Sequence, residues 1–477
     1  MMFRPGLTRW ICWIHVFVLC FPASSFAGFG EFTIRDELEL ARKFDLMIET
    51  YFPVVEDLEI SGYVRDLVER LRDTMPPQPF PLKVTVVRHG ALNAFASAAG
   101  HITVFTGLIA NLESEDELAS VLAHELAHVS ERHIAKAIEK SKIISIGSML
   151  GMLAGVLIGS QTQGEAGEAL ALGSLAGGQA LQLQYSRQNE AEADQYGVDF
   201  LVAAGFNPLG ITAAFERIRK MQWIAGGGGV PSYLTTHPGM QERIGAMEER
   251  IAHMPEEVRT RTTDNSRFLR AKAMVRAWHT DPRSAQAVFS AGKDTSPCLA
   301  RLGEAIALSR QQQTGNAAQC FAQAMSCNGA DPLWQREYGR FAFEFGSLED
   351  AFFSLRSAVE KKPRDLLALF FFARAAAEKG DVATGIDALQ RVLKEVPRDA
   401  EVLEYLGRFQ AMRGDQCNAH LNFAKAMAYR RQFSRSAYHV RQAEGLALTE
   451  AQRAAIAAVQ QEIAEYRQVL GLTSEER

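Results

Sequence analysis

The sequence lacks a basic field. Its 51 Lys and Arg are outnumbered by 56 Asp and Glu, for a formal charge of -5, and no run of basic residues is long enough to form a phosphate-binding patch. Nucleic acid is therefore not expected as a partner. An apolar run long enough to span a bilayer is also missing: the longest, Ile143 to Gly159, covers 17 residues where a spanning helix needs about 20. Gly147, Gly151, Gly155 and Gly159 fall four apart in it, a small-residue face that lets another helix approach closely. A buried helical hairpin with at most peripheral membrane contact is predicted there. Cysteine is scarce, six residues in 477, and no pair has the CxxC spacing of a cysteine-ligated metal site.

What is present is a globular balance, 47% hydrophobic and 22% charged, in a sequence whose length suits two or three domains. The first 27 residues stand apart: Arg4 and Arg9 precede an apolar run from Trp10 to Phe21, followed by Pro22 and the small-residue site "SFA" ending at Ala27. This is the pattern of a cleaved secretory signal, and its run of about twelve apolar residues is too short for an anchor. Cys12 and Cys20 would leave with it. Cys298, Cys320, Cys327 and Cys417 would then face an oxidising compartment, where an even number fits disulfides and three pairings are open.

From Thr33 to about Met75 helix is predicted, with Val64, Leu67, Val68 and Leu71 on one face, ended by "MPPQPF". "LKVTVV" and "HITVFTGLI" are β-branched runs expected to be strands of a small sheet. Ser114 with Glu117 three residues on predicts a capping box opening the next helix. The C-terminal half repeats: Gly339, Ala373 and Gly407 lie 34 apart, as do Gly346, Gly380 and Gly414, and Pro363 and Pro397. That is the tetratricopeptide period. Units run Asp331 to Arg364, Asp365 to Arg398 and Asp399 to Gln432, with a degenerate unit around Ala305 to Ala324. Helix pairs of this kind stack into a concave superhelix, a binding surface.

The chemistry lies in "SVLAHELAHVSERH", Ser120 to His133. On a helix, positions i and i+4 lie about 40° apart, so His124 and His128 aim two imidazoles at one point. Glu125 is turned too far to ligate with them but can reach a metal-bound water as general base. A His at 134 would make a third ligand of one class, but the sequence has Ile134, and Glu131 where that class needs Gly. The remaining solution is a carboxylate from a later helix. "YSRQNEAEADQYG" supplies Glu190 and Asp194 on one face, with Glu192 about 200° away from Glu190. Glu190 is assigned as third zinc ligand and Asp194 as the acceptor that orients a histidine ring, with Arg187 placed to pin Glu190 or bind substrate. Histidines on a solvated helix are the bland alternative for the first motif, and a solvated acidic helix for the second; their coincidence favours one zinc per molecule. His237, in "GGGGVPSYLTTHPGM", is the candidate donor to an oxyanion or occupant of the open zinc position. His89, His101, His133 and His253 carry no assignment. Substrate is expected to add as a β-strand, with Ala99 to Gly107 as the edge that receives it.

"NAFA" at Asn93, "TGL" at Thr106, "HELAH", "YSRQNEAEAD" and "HP" at His237 occur in the order found in the CAAX-prenyl-protease-like and heat-shock-protease-like zinc peptidases, which the sequence resembles over these motifs. The resemblance implies a gluzincin-type fold, zinc on His124, His128 and Glu190, Glu125 as base and Asp194 in the active site. The expected whole is α+β and mostly helical: a signal at 1–27, a zinc metalloprotease domain with a small sheet at 28–265 and a tetratricopeptide domain at 266–477. An export signal before the domain and repeats after it resemble the periplasmic members of that family. For those, the resemblance implies unfolded or misassembled outer-membrane proteins as substrates, docking of the repeats on the outer-membrane assembly machinery, and assistance to correct assembly. The competing expectation is a mostly latent protease acting as chaperone or scaffold through its repeats.

Overall fold

The computed structural model describes residues 32–141, 186–224, 233, 237–292 and 296–469. The expected signal, the apolar stretch from Ile143 and the glycine run before Val230 lie outside the described residues.

Helix α1 (Ile34–Tyr51) opens on a complete capping box at Thr33 and Asp36. The helix predicted to reach Met75 is interrupted. Phe52 to Asp57 is extended around Pro53, Val54 bridges to Val87, and the backbone resumes helix through a π-turn at Leu58–Gly62 into α2 (Tyr63–Arg72). A proline after Phe52 has no N–H to continue the ladder, which explains the break. Val64, Leu67, Val68 and Leu71 are all buried, as their spacing requires.

The sheet has three strands, β1 (Lys83–Val87), β2 (Ala94–Ala96) and β3 (His101–Phe105), in the order β1-β3-β2. β1 runs parallel to β3 and β2 antiparallel to it. Two expectations are corrected here. "HITVFTGLI" is strand only to Phe105, because Thr106 starts α3 (Thr106–Asn111). The segment Ala99 to Gly107, expected to be the receiving edge, contains the central strand; both sides of β3 are already paired, so it cannot accept another.

Helix α4 (Glu115–Ser130) carries the His-Glu-x-x-His motif, and Ser114 caps it by accepting the Glu117 N–H at 3.1 Å. The Glu117 carboxylate accepts from the Glu113 backbone rather than from Ser114. Then follow α5 (His133–Ser141), α6 (Arg187–Ala203), α7 (Leu209–Ile224) and α8 (Met240–Ala252). The rest is helical hairpins: α9 (Ser266–His279) with α10 (Pro282–Ser290), α11 (Pro297–Arg310) with α12 (Thr314–Asn328), then α13 (Pro332–Phe345) with α14 (Leu348–Lys361). α15 (Leu366–Glu378) pairs with α16 (Val382–Glu395), α17 (Ala400–Met412) with α18 (Gln416–Tyr429), and α19 (Phe433–Leu446) is followed by α20 (Glu450–Val469). The three 34-residue units coincide with the pairs beginning at α13, α15 and α17. At Gly339 a Cβ would come within 2.7 Å of Leu355, so the small residue at the crossing is what lets the two helices of that unit close.

One apolar core runs from Val55 through α4, α6 and α9 to Phe341, so the first hairpins pack into the same interior as the motif helix. The far end of the array returns to α1: Arg398 bonds Glu49 at 2.8 Å, the Arg431 guanidinium lies 4.6 Å from the Tyr51 ring centre, and Thr50 and Tyr466 hydroxyls are 3.3 Å apart. Cys298 and Cys327 form a disulfide between α11 and α12, while Cys320 and Cys417 are free. Among the described residues, no helix is long and apolar enough to cross a membrane.

Candidate metal centre

His124 and His128 are 0% and 2% exposed, and their Nε2 atoms approach to 3.1 Å. Helix α6 brings Glu190 against both, with carboxylate oxygens 3.4 Å from each Nε2. The approach depends on Gly197: a Cβ there would sit 3.1 Å from the His124 Cα, so any side chain would push the two helices apart. His237 completes the group. Its Nδ1 lies 3.1 Å from a Glu190 oxygen and 3.3 Å from His124 Nε2, and one donor atom from each of the four residues falls within 4.8 Å of the others.

The outer side of each imidazole shows which nitrogen carries the proton. His124 Nδ1 faces Asp194 Oδ1 at 3.0 Å, which fixes that nitrogen as the donor and leaves Nε2 a lone pair. His128 Nδ1 lies 2.8 Å from His133 Nδ1, and His133 Nε2 lies 3.2 Å from Glu192 Oε2. A proton on His133 Nε2 for Glu192 leaves its Nδ1 to accept from His128, whose Nε2 is then also a lone pair. His237 Nε2 lies 3.4 Å from Glu125 Oε1, while its Nδ1 faces Glu190 and His124. Three imidazole nitrogens and a carboxylate thus converge on one buried point, a set of ligand atoms of the kind that holds a metal ion. The residues present fit a zinc ion.

Electrostatics follow from burial and these contacts. Burial alone would depress His124, but the Asp194 and Glu190 carboxylates raise it to about 9. Burial pushes Glu125 up from the usual carboxylate range, against the pull of the His237 and His124 rings. His128 is held well below its usual value, chiefly by burial. Glu190 and Asp194 are lowered despite burial, Glu190 chiefly by His237 and His124, Asp194 chiefly by Arg243.

Each residue expected in the site is accounted for. His124, His128, Glu190 and His237 are brought together, Asp194 stands behind His124, and Glu125 is buried with Oε2 accepting the Ala96 N–H of β2 at 2.9 Å. Arg187 is not at the site: its side chain is 79% exposed and faces Glu242 at 3.7 Å. The pinning expected of it belongs to Arg243. That guanidinium donates from Nε and Nη2 to both Asp194 oxygens at 2.7 Å, and its Nη1 lies against Glu190. Sequence reasoning misses Arg243, although its position one turn into the helix after "HPGM" is a readable signal. It also misses Tyr233, whose ring stacks on His237 at 4.1 Å, and the pair His133 and Glu192.

The motifs that build this centre are shared with known proteins. The sequence pattern of peptidase family M48 matches residues 59–251. The protein is 34% identical over 223 residues to one named putative beta-barrel assembly-enhancing protease from Vibrio cholerae, covering 47% of this sequence and 46% of that one. It is 27% identical over 222 residues to the beta-barrel assembly-enhancing protease of Escherichia coli strain K12, covering 46% and 45%. Metalloprotease LoiP of the same organism is 30% identical over 194 residues, 41% of this sequence and 71% of that one. The match spans about half the length of the first two relatives.

Proposed function

The protein belongs to peptidase family M48, and from that premise we propose that it is an exported zinc-dependent endopeptidase of the cell envelope that degrades misassembled outer-membrane proteins and assists their assembly. The observation that carries the reading is the convergence of His124, His128, Glu190 and His237 beside a buried Glu125. In this reading His124, His128 and Glu190 hold one zinc per molecule and Asp194 orients His124. Zinc, when bound, polarises a water and a substrate carbonyl. Glu125 takes a proton from the attacking water and passes it to the leaving amine; burial, by raising its pKa, suits it to hold that proton between the two steps. The names of the relatives support the substrate class, a signal at 1–27 supports export to the periplasm, and the division at 266 gives the repeats the task of recruiting clients and assembly machinery.

His237 has two roles in this proposal. Its Nδ1 sits within the ligand group and Tyr233 backs its ring, which favours a resting, latent state with the fourth position filled. Once displaced, it is placed to donate to the oxyanion. A mostly latent enzyme acting as a chaperone through its repeats is the second reading, and the same contact is what favours it.

The test compares wild type with Glu125→Gln, both zinc-loaded, for cleavage of an unfolded protein with and without chelator. Chelation should abolish cleavage, and the variant should bind zinc yet cut about 10²- to 10⁴-fold more slowly. Equal cleavage by the variant would sink the assignment. A wild type that holds zinc and cuts nothing selects the latent reading, in which His237→Ala should release activity.

A further inference from the structure

The chain leaves the motif helix through a left-handed turn, and the turn brings a further histidine against His128. On a continuous helix, residues five apart lie about 140° from one another, so His128 and His133 would point to different sides. Helix α4 stops at Ser130, and Arg132 takes φ 50°, in the left-handed region that a side chain makes costly. Helix α5 then starts at His133, whose ring is turned back onto His128: the ring centres are 5.0 Å apart and the Nδ1 atoms 2.8 Å. The turn is fastened from α1. Glu37, 2% exposed, accepts from Arg132 Nε and Nη2 at 3.1 and 2.8 Å, and its other oxygen accepts at 3.3 Å the N–H of Ala99, a second residue with φ 50°. Costly backbone that its surroundings hold in place marks a position from which something is gained.

What the turn delivers is a chain of contacts. His133 is 1% exposed, and beyond it Glu192 Oε2 lies 3.2 Å from its Nε2. Gln188 donates to the other Glu192 oxygen at 3.0 Å, which steadies the carboxylate. We propose that His133 is a positioning residue for His128 and that Glu192 acts through it. A carboxylate is an acceptor only, so Glu192 settles which nitrogen of His133 carries the proton. The Nε2 proton of His133 goes to Glu192, its Nδ1 accepts the Nδ1 proton of His128, and His128 Nε2 is left facing Glu190 and His124. Neither His133 nor Glu192 belongs to the ligand group itself. Helix α6 thereby orients both histidines of the motif while it contributes Glu190: His124 directly through Asp194, and His128 at one remove through Glu192. The inference rests on the zinc reading of that group and assigns to it two residues that touch no ion.

The experiment measures the zinc affinity of the full-length protein by competition with a chromogenic chelator, and the visible absorption of its Co(II)-loaded form, which reports ligand geometry. His133→Phe keeps a ring and removes the acceptor; it should weaken zinc about 10- to 100-fold and move the Co(II) bands. His133→Asn puts an amide oxygen near the place of Nδ1, and should stay within about threefold of wild type with its Co(II) bands unmoved. The Glu192 side chain is 38% exposed, so Glu192→Ala spares the interior; it should cost about tenfold. Combined with His133→Asn, the same truncation should cost nothing further, because no Nε2 proton is left to fix. Should His133→Phe fail to fold, the two measurements of Glu192→Ala decide. Wild-type affinity in His133→Phe and Glu192→Ala, a folded His133→Asn as weak as His133→Phe, or a Glu192→Ala loss that persists in full beside His133→Asn would overturn the inference alone. A wild type that binds neither zinc nor Co(II) would overturn the zinc reading and this inference with it.

Discussion

Two clusters of buried charge among the described residues are built in opposite senses. Around His124 the inward-facing atoms are acceptors: the Nε2 atoms of His124 and His128, the Nδ1 of His237 and the oxygens of Glu190. At the junction between the sheet-bearing region and the repeats the central group is a donor. Arg336, 0% exposed, gives Nη1 to Asp57 at 2.9 Å and Asp365 at 3.0 Å, Nη2 to Asp57 at 2.8 Å and Nε to Glu337 at 2.7 Å. Those carboxylates have further donors of their own, the Ala368 N–H on Asp365 and the Trp278 indole on Glu337. Arg336 and its three carboxylates are thus paired by the side chains around them. The centre at His124 has the ligand atoms of a site that could take an ion from outside. A buried cluster whose donors and acceptors match is a lock, and one whose acceptors face each other is a binding site.

The largest effect is expected at Arg336. Arg336→Met keeps the length and removes the charge, leaving Asp57, Asp365 and Glu337 buried without their common donor, at an expected cost of about 3–5 kcal/mol. Urea unfolding should show the loss while zinc stoichiometry in the folded variant stays at wild type. Unchanged stability would mean that the cluster does not lock the repeats to the rest of the molecule.

A milder change tests the metal centre. Asp194→Asn retains the shape but removes the charge that holds the Nδ1 proton of His124 and anchors Arg243. Zinc affinity, from competition with a chromogenic chelator, should fall about 10- to 100-fold with little change in fold. An unchanged affinity would leave Asp194 as a structural partner of Arg243 alone.

The two clusters also differ in how far the sequence announces them. His124, His128, Glu190 and Asp194 lie at i,i+4 spacings on two helices, and helix geometry alone puts each pair on one face. Glu192 is on the other face of α6 for the same reason, and it reaches His133 from there. Arg243 and Tyr233 join the centre through tertiary packing, for which no local spacing stands. Arg336, Asp57 and Asp365 come from three separate elements, so nothing local links them. The same divide runs through the fold. The three central repeats are legible because their period is strict, whereas the hairpins at 266–290 and 433–469 have lost it. β3 reads as an edge in sequence but lies at the centre, because strand order is a property of the sheet and not of any one strand.

The smallest expected effect tests whether the junction tolerates one more charge. His279, at the end of α9, is pulled down to about 4, mainly by burial; Asp57 opposes the shift, and Arg88, Arg310 and Arg340 reinforce it. The unfolded protein takes that proton near 6.5, so between pH 6.5 and about 4 the unfolded state binds more protons and stability falls as the pH falls. Between pH 7 and 5 this one group should cost about 2 kcal/mol. His279→Asn carries no such proton, so the difference in stability between wild type and variant should shift by that amount across the window, in favour of the variant at low pH. A constant difference would place His279 in contact with water, with its added charge tolerated near Asp57 and the three arginines.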